Sequence, residues 1–110
     1  SLRSAIKSAS DQNKLIVVDV YTDWCGWCKK MDRTVYSDPR VASLNNEVVF
    51  VKLNAEDRGE GQQFARQNRV NAFPTTIILD HKGSVINTVK GYIDSSQRFI
   101  SMVERSKSRA

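Results

Sequence analysis

Apolar residues recur along this chain in two rhythms, and their alternation lays out the elements. Leu15-Ile16-Val17-Val18 is a continuous apolar run that extends through Asp19-Val20-Tyr21, and Glu47–Leu53 is a second. Runs that are apolar on both faces predict strands covered by helices on both sides. Thr75–Leu79 predicts a third strand, and Ser84–Val89 a fourth with partial alternation. The turn residues Asp80-His81-Lys82-Gly83 join these two as a hairpin. Between the strands the spacing becomes helical. Leu2, Ile6 and Ala9 mark an amphipathic helix ending near Asp11-Gln12-Asn13. Lys29–Tyr36 lacks Pro and Gly; Met31 and Val35 face the core, while Lys29, Lys30 and Arg33 face water. Ser37-Asp38-Pro39 breaks it, and Asp38 then caps a further helical turn that starts at Pro39 and closes at Asn45-Asn46. Asp57–Asn68 is a helix with Phe64 and Ala65 inward and a start weakened by Gly59 and Gly61. Asp94 or Ser95 caps the last helix, with Phe99, Ile100, Met102 and Val103 apolar, and the polar end Arg105–Ala110 is expected to fray.

The order is therefore helix, strand, helix, strand, helix, strand, strand, helix. A βαβ unit makes its strands parallel through a right-handed crossover, and the final hairpin adds antiparallel ones. The expected class is α/β: a mixed central sheet of about four strands flanked by helices on both faces. With 110 residues, positions 1–110 form a single domain with one core. No stretch reaches the roughly 20 apolar residues of a membrane span, so no integral membrane segment is expected. The net charge of +5 makes the surface basic, but the basic residues are scattered and not striped, so no nucleic-acid partner is expected. The chain begins at Ser1 and not at Met, as a trimmed form would, which leaves a removed targeting segment open.

The chemistry gathers in Trp24-Cys25-Gly26-Trp27-Cys28-Lys29, which holds both cysteines at a strand-to-helix junction. Two thiols at this spacing on a helix N-terminus make a redox device. The first sulfur lies where unpaired N–H groups favour a thiolate, and the second lies almost one turn along, within reach for a disulfide. Cys25 is expected to be the more exposed of the two. Other readings of the pair remain. Half a zinc site would need further soft ligands, and the chain has no other Cys and a single His, His81, so no metal is expected. A structural disulfide closing so short a loop would stabilise little. Inert buried thiols would leave Trp24 and Trp27 at a surface turn without a use. Asp19, inside an apolar strand, is a buried carboxylate, costly unless protonated, paired or hydrogen-bonded. Lys52 is a second charge inside a strand.

Trp-Cys-Gly-x-Cys-Lys after an apolar strand resembles the thioredoxin superfamily, and the likeness extends over about Leu15 to Val103. It implies the thioredoxin fold, without the extra leading strand of thioredoxin itself. Asp19, six residues before Cys25, matches the family's buried acid, and Lys52 matches the lysine beside it. Phe73-Pro74-Thr75 matches the cis-proline loop facing the cysteines, and Lys90-Gly91-Tyr92 the glycine loop closing the substrate groove. Trp27 departs from the proline of thioredoxin. Ser37-Asp38-Pro39-Arg40-Val41 is similar to a segment in the C-terminal domain of the membrane electron transporter DsbD and its stand-alone relatives. The implied function is that of a thiol–disulfide oxidoreductase that reduces protein disulfides or relays electrons between dithiols. Cys25 would attack and Cys28 resolve; Asp19 would take the proton of Cys28, and Lys52 would tune Asp19. The Phe73 main chain and Pro74 would meet an extended substrate in a groove lined by Trp24, Gly26, Trp27 and Gly91. No bound cofactor is needed, because the two sulfurs carry both electrons. The implied partners are protein dithiols or disulfides and an upstream electron donor. The protein is expected to be a monomer, outside the cytoplasm, with the cytoplasm as the alternative. The rival functions are a disulfide oxidase or isomerase running the same steps backwards, and a non-catalytic binding module.

Overall fold

The computed structural model describes all of Ser1–Ala110. Its sheet has four strands in the order β2-β1-β3-β4, where β1 is Leu15–Tyr21, β2 Val48–Asn54, β3 Thr75–Leu79 and β4 Val85–Lys90. β1 pairs parallel with β2 and antiparallel with β3, and β3 pairs antiparallel with β4. The longest apolar run of the chain thus lies between two neighbours, where no side of it meets water. This is the mixed sheet expected from the pattern.

Alternation along β1 splits the interior in two. Ile16, Val18 and Val20 share one cluster with Ala5 and Ala9 of α1 (Leu2–Gln12) and with Phe64 and Ala65 of α4 (Glu60–Gln67). Leu15 and Val17 share the other with Met31 of α2 (Gly26–Met31), Val41 of α3 (Pro39–Ala42), and Phe99, Met102 and Val103 of α5 (Ser96–Lys107). Helices therefore cover both faces. Because side chains alternate along a strand, Asp19 falls on the second face, among the largest apolar groups of the protein.

Several boundaries differ from the expectation, each for a local reason. α2 begins at Gly26 and not Lys29, because Cys25 itself caps it; Cys28 therefore lies within its first turn. α2 does not run on as plain α-helix to Tyr36: Asp32–Tyr36 is a π turn, closed by the Ser37 N–H donating to the Asp32 carbonyl at 3.1 Å. α5 does not fray at Arg105. It continues to Lys107, because Ser106 is fully buried and donates to the Met102 carbonyl at 2.8 Å.

Gly61 shows why helical propensity misjudges the start of α4. The Asp57 carboxylate accepts from the N–H groups of Gly59, Gly61 and Gln62, tying the first turn down against β2. A β-carbon on Gly61 would run into the Asn54 carbonyl oxygen, a backbone atom that cannot step aside. Gly61→Ala sets a propensity gain of about 1 kcal/mol against an overpacking cost of roughly 1–3 kcal/mol, so it is expected to destabilise. Urea denaturation of the variant checks the sign: a midpoint above that of the parent would show that the close approach is unimportant.

Candidate active site

β1 ends at Tyr21, and the chain turns so that the Cys25 N–H reaches the Thr22 carbonyl at 3.3 Å. Cys25 and Cys28 are joined as a disulfide, with Cα atoms 5.3 Å apart. The Cys25 sulfur accepts from the Cys28 N–H at 3.1 Å, one of the free donors of the first helical turn. That bond favours charge on Cys25 over Cys28 when the pair is reduced. The expected difference in exposure is absent in this oxidised state: both cysteines are 4% exposed. Exposure belongs to the neighbours, Trp24 at 66% and Trp27 at 57%.

Each tryptophan is held in place from one side. The Trp24 indole N–H donates to Glu56 at 3.0 Å, and its ring meets Phe73 edge-on at 5.8 Å. Trp27 lies against Tyr92, ring centres 5.3 Å apart, with the Lys30 ammonium 5.2 Å from one ring and 5.3 Å from the other. The Phe73–Pro74 peptide bond is cis. Gly91 donates its N–H to the Pro74 carbonyl at 2.8 Å and takes φ of 89°, a left-handed conformation that glycine adopts without strain. One bond therefore joins the loop after β4 to the loop before β3.

Within the sheet, register builds a polar row across the apolar face. Asp19 on β1 stands between Lys52 on β2 and Thr76 on β3. The Lys52 ammonium lies 3.6 Å from Asp19 Oδ2 and 2.8 Å from Asp32 Oδ1, and 4.9 Å from the centre of the Tyr21 ring. Lys52 is not an interior charge: its side chain is 49% exposed and reaches over the sheet edge to water. Asp19 is buried. Desolvation pushes its pKa up to about 6 and the Asp32 charge adds to this, while Lys52 pulls it down. Burial draws Lys52 downward, but its bond to Asp32 and the charges of both carboxylates outweigh that, and its net shift is upward.

The chain matches the thioredoxin-like domain family over residues 2–107. It belongs to that family. It is 36% identical to thioredoxin of Echinococcus granulosus over 87 residues, 79% of this chain and 75% of that protein. It is 28% identical to the thiol:disulfide interchange protein DsbD of Photorhabdus laumondii over 90 residues, 79% of this chain but 16% of that protein. The chain spans about a sixth of the length of the DsbD proteins it matches. The oxidised C-terminal domain of DsbD from Neisseria meningitidis superposes with a TM-score of 0.80 at 23% identity, covering 96% of this chain and 92% of that one. The fold is the thioredoxin fold.

Within this thioredoxin-like domain the anticipated residues fall into two groups. Cys25, Gly26 and Cys28 form the capped turn, with Trp27 in the same first turn of α2, and Trp24, Phe73, Pro74 and Gly91 lie on loops. Asp19 and Lys52 form the polar row on the sheet. Other members of both groups were not anticipated. Glu56 fixes Trp24, and Tyr92 and Lys30 support Trp27. Asp32 shares Lys52 with Asp19. Asp32 did leave a signal, since a carboxylate four residues after Cys28 lies on the same side of the helix. No three side chains of His, Cys, Asp or Glu gather as metal ligands would.

The shifted carboxylate has a measurable consequence. The folded-state pKa of Asp19, about 6, lies above the unfolded value of about 3.9, so the folded protein binds the proton more tightly. The stability this group contributes is full below the unfolded pKa and is lost as pH rises through about 6. Above that, ionised Asp19 is a net cost. Asp19→Asn is therefore expected to stabilise the protein at pH 8 by about 1–3 kcal/mol and to leave it nearly unchanged at pH 4. Denaturant titrations at the two pH values check it, and a loss of stability at pH 8 would contradict the assignment of Asp19 as a desolvated acid.

Proposed function

We propose that this domain is a thiol–disulfide oxidoreductase that works as a reductant of protein disulfides or as a relay between dithiols. The observation that carries the reading is the Cys25–Cys28 disulfide on a helix start, with the Cys25 sulfur accepting a backbone N–H, after a strand that holds a buried acid. In the reduced protein, Cys25 as thiolate attacks one sulfur of the partner's disulfide. The partner's S–S bond breaks, a mixed disulfide with Cys25 forms, and the first partner sulfur leaves as a thiolate. Cys28 then gives its proton to Asp19 and attacks the Cys25 sulfur. The mixed bond breaks, the second partner sulfur leaves with its electron pair, and the Cys25–Cys28 disulfide forms. Two electrons pass to the partner. An upstream dithiol must return them before the next cycle, so the domain needs an electron donor and no bound cofactor.

The pKa of Asp19 suits this role. A carboxyl near 6 is ionised at neutral pH and so is ready to accept a proton, yet it holds that proton better than an exposed aspartate would. Lys52 keeps the ionised form accessible. The partner would lie as an extended strand along the Phe73 main chain, with Trp24, Gly26, Trp27, Pro74 and Gly91 forming the walls. The likeness to DsbD supports a place outside the cytoplasm, and the domain would act as a monomer. The reverse direction, oxidase or isomerase, uses the same steps, and the two are separated by the equilibrium potential of the pair. A value near the roughly −270 mV of thioredoxin fits a reductant, and one near the −120 mV of DsbA would reverse the assignment.

Insulin reduction driven by a small dithiol is expected to accelerate with the parent protein and to stop in Cys25→Ser. Cys28→Ser is expected to accumulate a mixed disulfide with insulin, visible on a non-reducing gel, and Cys25→Ser to trap none. Trapping by Cys25→Ser would exchange the two roles. No acceleration by the parent would leave a binding module.

A further inference from the structure

Asp19 Oδ1, the Tyr36 hydroxyl and the Thr76 hydroxyl are all buried without a hydrogen-bond partner. All three belong to one place. Thr76 is the direct cross-strand neighbour of Asp19, and Tyr36 comes down on the same face from the π turn. Asp19 and Tyr36 also line one cleft of about 400 Å³, together with Asp32, Ser37, Phe50 and Lys52. The groups facing Asp19 from the elements packed on it are thus Lys52 from β2, Thr76 from β3, and Asp32 and Tyr36 from the π turn.

The Tyr36 hydroxyl is the part that packing does not explain. Its ring meets Phe99 edge-on at 5.4 Å and Phe50 at 6.3 Å. A phenylalanine would make both contacts. A hydroxyl set among aromatic rings is a cost unless something uses it. The unused acceptor in the same cleft is Asp19 Oδ1, because Oδ2 already faces Lys52. A carboxylate that ionises with one bare buried oxygen needs a donor there, and the phenol and the Thr76 hydroxyl are the donors at hand.

We propose that Tyr36 is a positioning residue for the proton transfer at Asp19, its phenol donating to the free carboxylate oxygen as that group ionises, with Thr76 as the second donor. The proposal rests on the reading of Asp19 as the proton acceptor of Cys28. The Cys28 S–H bond breaks and an Asp19 O–H bond forms, the electron pair staying on the Cys28 sulfur; the proton later leaves Asp19 through the cleft, and Tyr36 and Thr76 keep their own protons throughout. The hydroxyl favours the charged form, so its removal must raise the pH at which Asp19 ionises. A buried phenol in one cleft with a carboxylate also resists ionisation itself: burial first and the Asp19 charge second push the Tyr36 pKa well above its ordinary value, while the neighbouring Thr76 hydroxyl pulls the other way by less. It therefore stays a donor throughout the working range.

The test is carbon-13 NMR titration of the Asp19 carboxyl in the oxidised protein, where no thiol titrates. Tyr36→Phe keeps the ring and is expected to move the midpoint upward by about one pH unit. Thr76→Val is expected to move it the same way by less. In Tyr36→Phe, unfolding free energy should fall only above the Asp19 midpoint, whereas a hydroxyl that merely filled space would change stability equally at all pH values. In the reduced protein, the pH profile for release of the mixed disulfide should shift in the same direction. A midpoint that stays in place in both variants overturns the proposal. That result would leave the reductase reading standing, because the titration uses no substrate; a failed insulin assay would strike the reductase reading and with it the role in proton transfer, while a shifted midpoint would still show the Tyr36 hydroxyl acting on Asp19.

Discussion

A carboxylate in the middle of the central strand is the constraint around which the active end of this fold is arranged. Asp19 occupies a position that an aliphatic residue would fill at no cost, between Val18 and Val20 and on the face that carries Met31, Val35 and Phe99. The cost is contained by pairing and not by exposure. Strand register alone delivers Lys52 on one side and Thr76 on the other. The lysine keeps half of its side chain in water, so only Asp19 is fully buried, and the expensive case of two fully buried ions is avoided. Asp32 at the rim then holds the ammonium from the solvent side at 2.8 Å, closer than Asp19 does. The pull on Asp19 is therefore moderate, which is why its pKa settles near neutrality and not at either extreme.

The upper surface follows a different logic. Burial of Cys25 and Cys28 leaves the sulfurs little area of their own, and the contact area around them is aromatic. Trp24 and Trp27 are exposed yet not loose: a charged hydrogen bond fixes the first, and a tilted tyrosine ring with a lysine over both rings fixes the second. Rigid, flat, amphipathic walls bind at a low cost in side-chain entropy. In the proposed mechanism the acid serves the sulfur and the aromatic rim serves the partner. The two meet only through the capped turn, so either can be altered while the other is kept.

Much of this was legible because it depends on short-range pattern. Leu15–Tyr21 is a buried strand by composition, and the paired cysteines at a strand-to-helix junction state their chemistry in six residues. Asp19 was legible as a polar exception in an apolar run. What escaped depends on geometry that single-residue patterns do not encode. The π turn has no sequence signature in Asp32–Tyr36, so the spacing from Cys28 hinted at the side on which Asp32 lies, but its bond to Lys52 and the placement of the Tyr36 hydroxyl could not be read. Thr76 read as an ordinary strand residue until register placed it opposite Asp19. Lys52 misled in the other direction, since a lysine in an apolar strand looks interior until the reach of its side chain is known. Gly61 looked like a helix weakener, and the Asn54 carbonyl that requires it comes from an element seven residues earlier.

The π turn links these separate facts. An α-helix that enters at a cysteine pair and continues regularly carries its buried stripe straight down. Here the extra residue in the turn lets Val35 stay fully buried while Tyr36 beside it also turns inward over Phe50 and Phe99. Asp32, at the start of the same turn, stays at the rim where it can reach Lys52. A single widened turn thus sets the ionic partner above the acid and a hydroxyl beside it, on one side of one cleft. On the proposed mechanism, in which Asp19 takes one proton from Cys28, such a turn would adjust the proton's path without touching the sulfurs. Variation at Asp32 and Tyr36 would then change the pH at which this domain releases a partner while its cysteine pair stays the same.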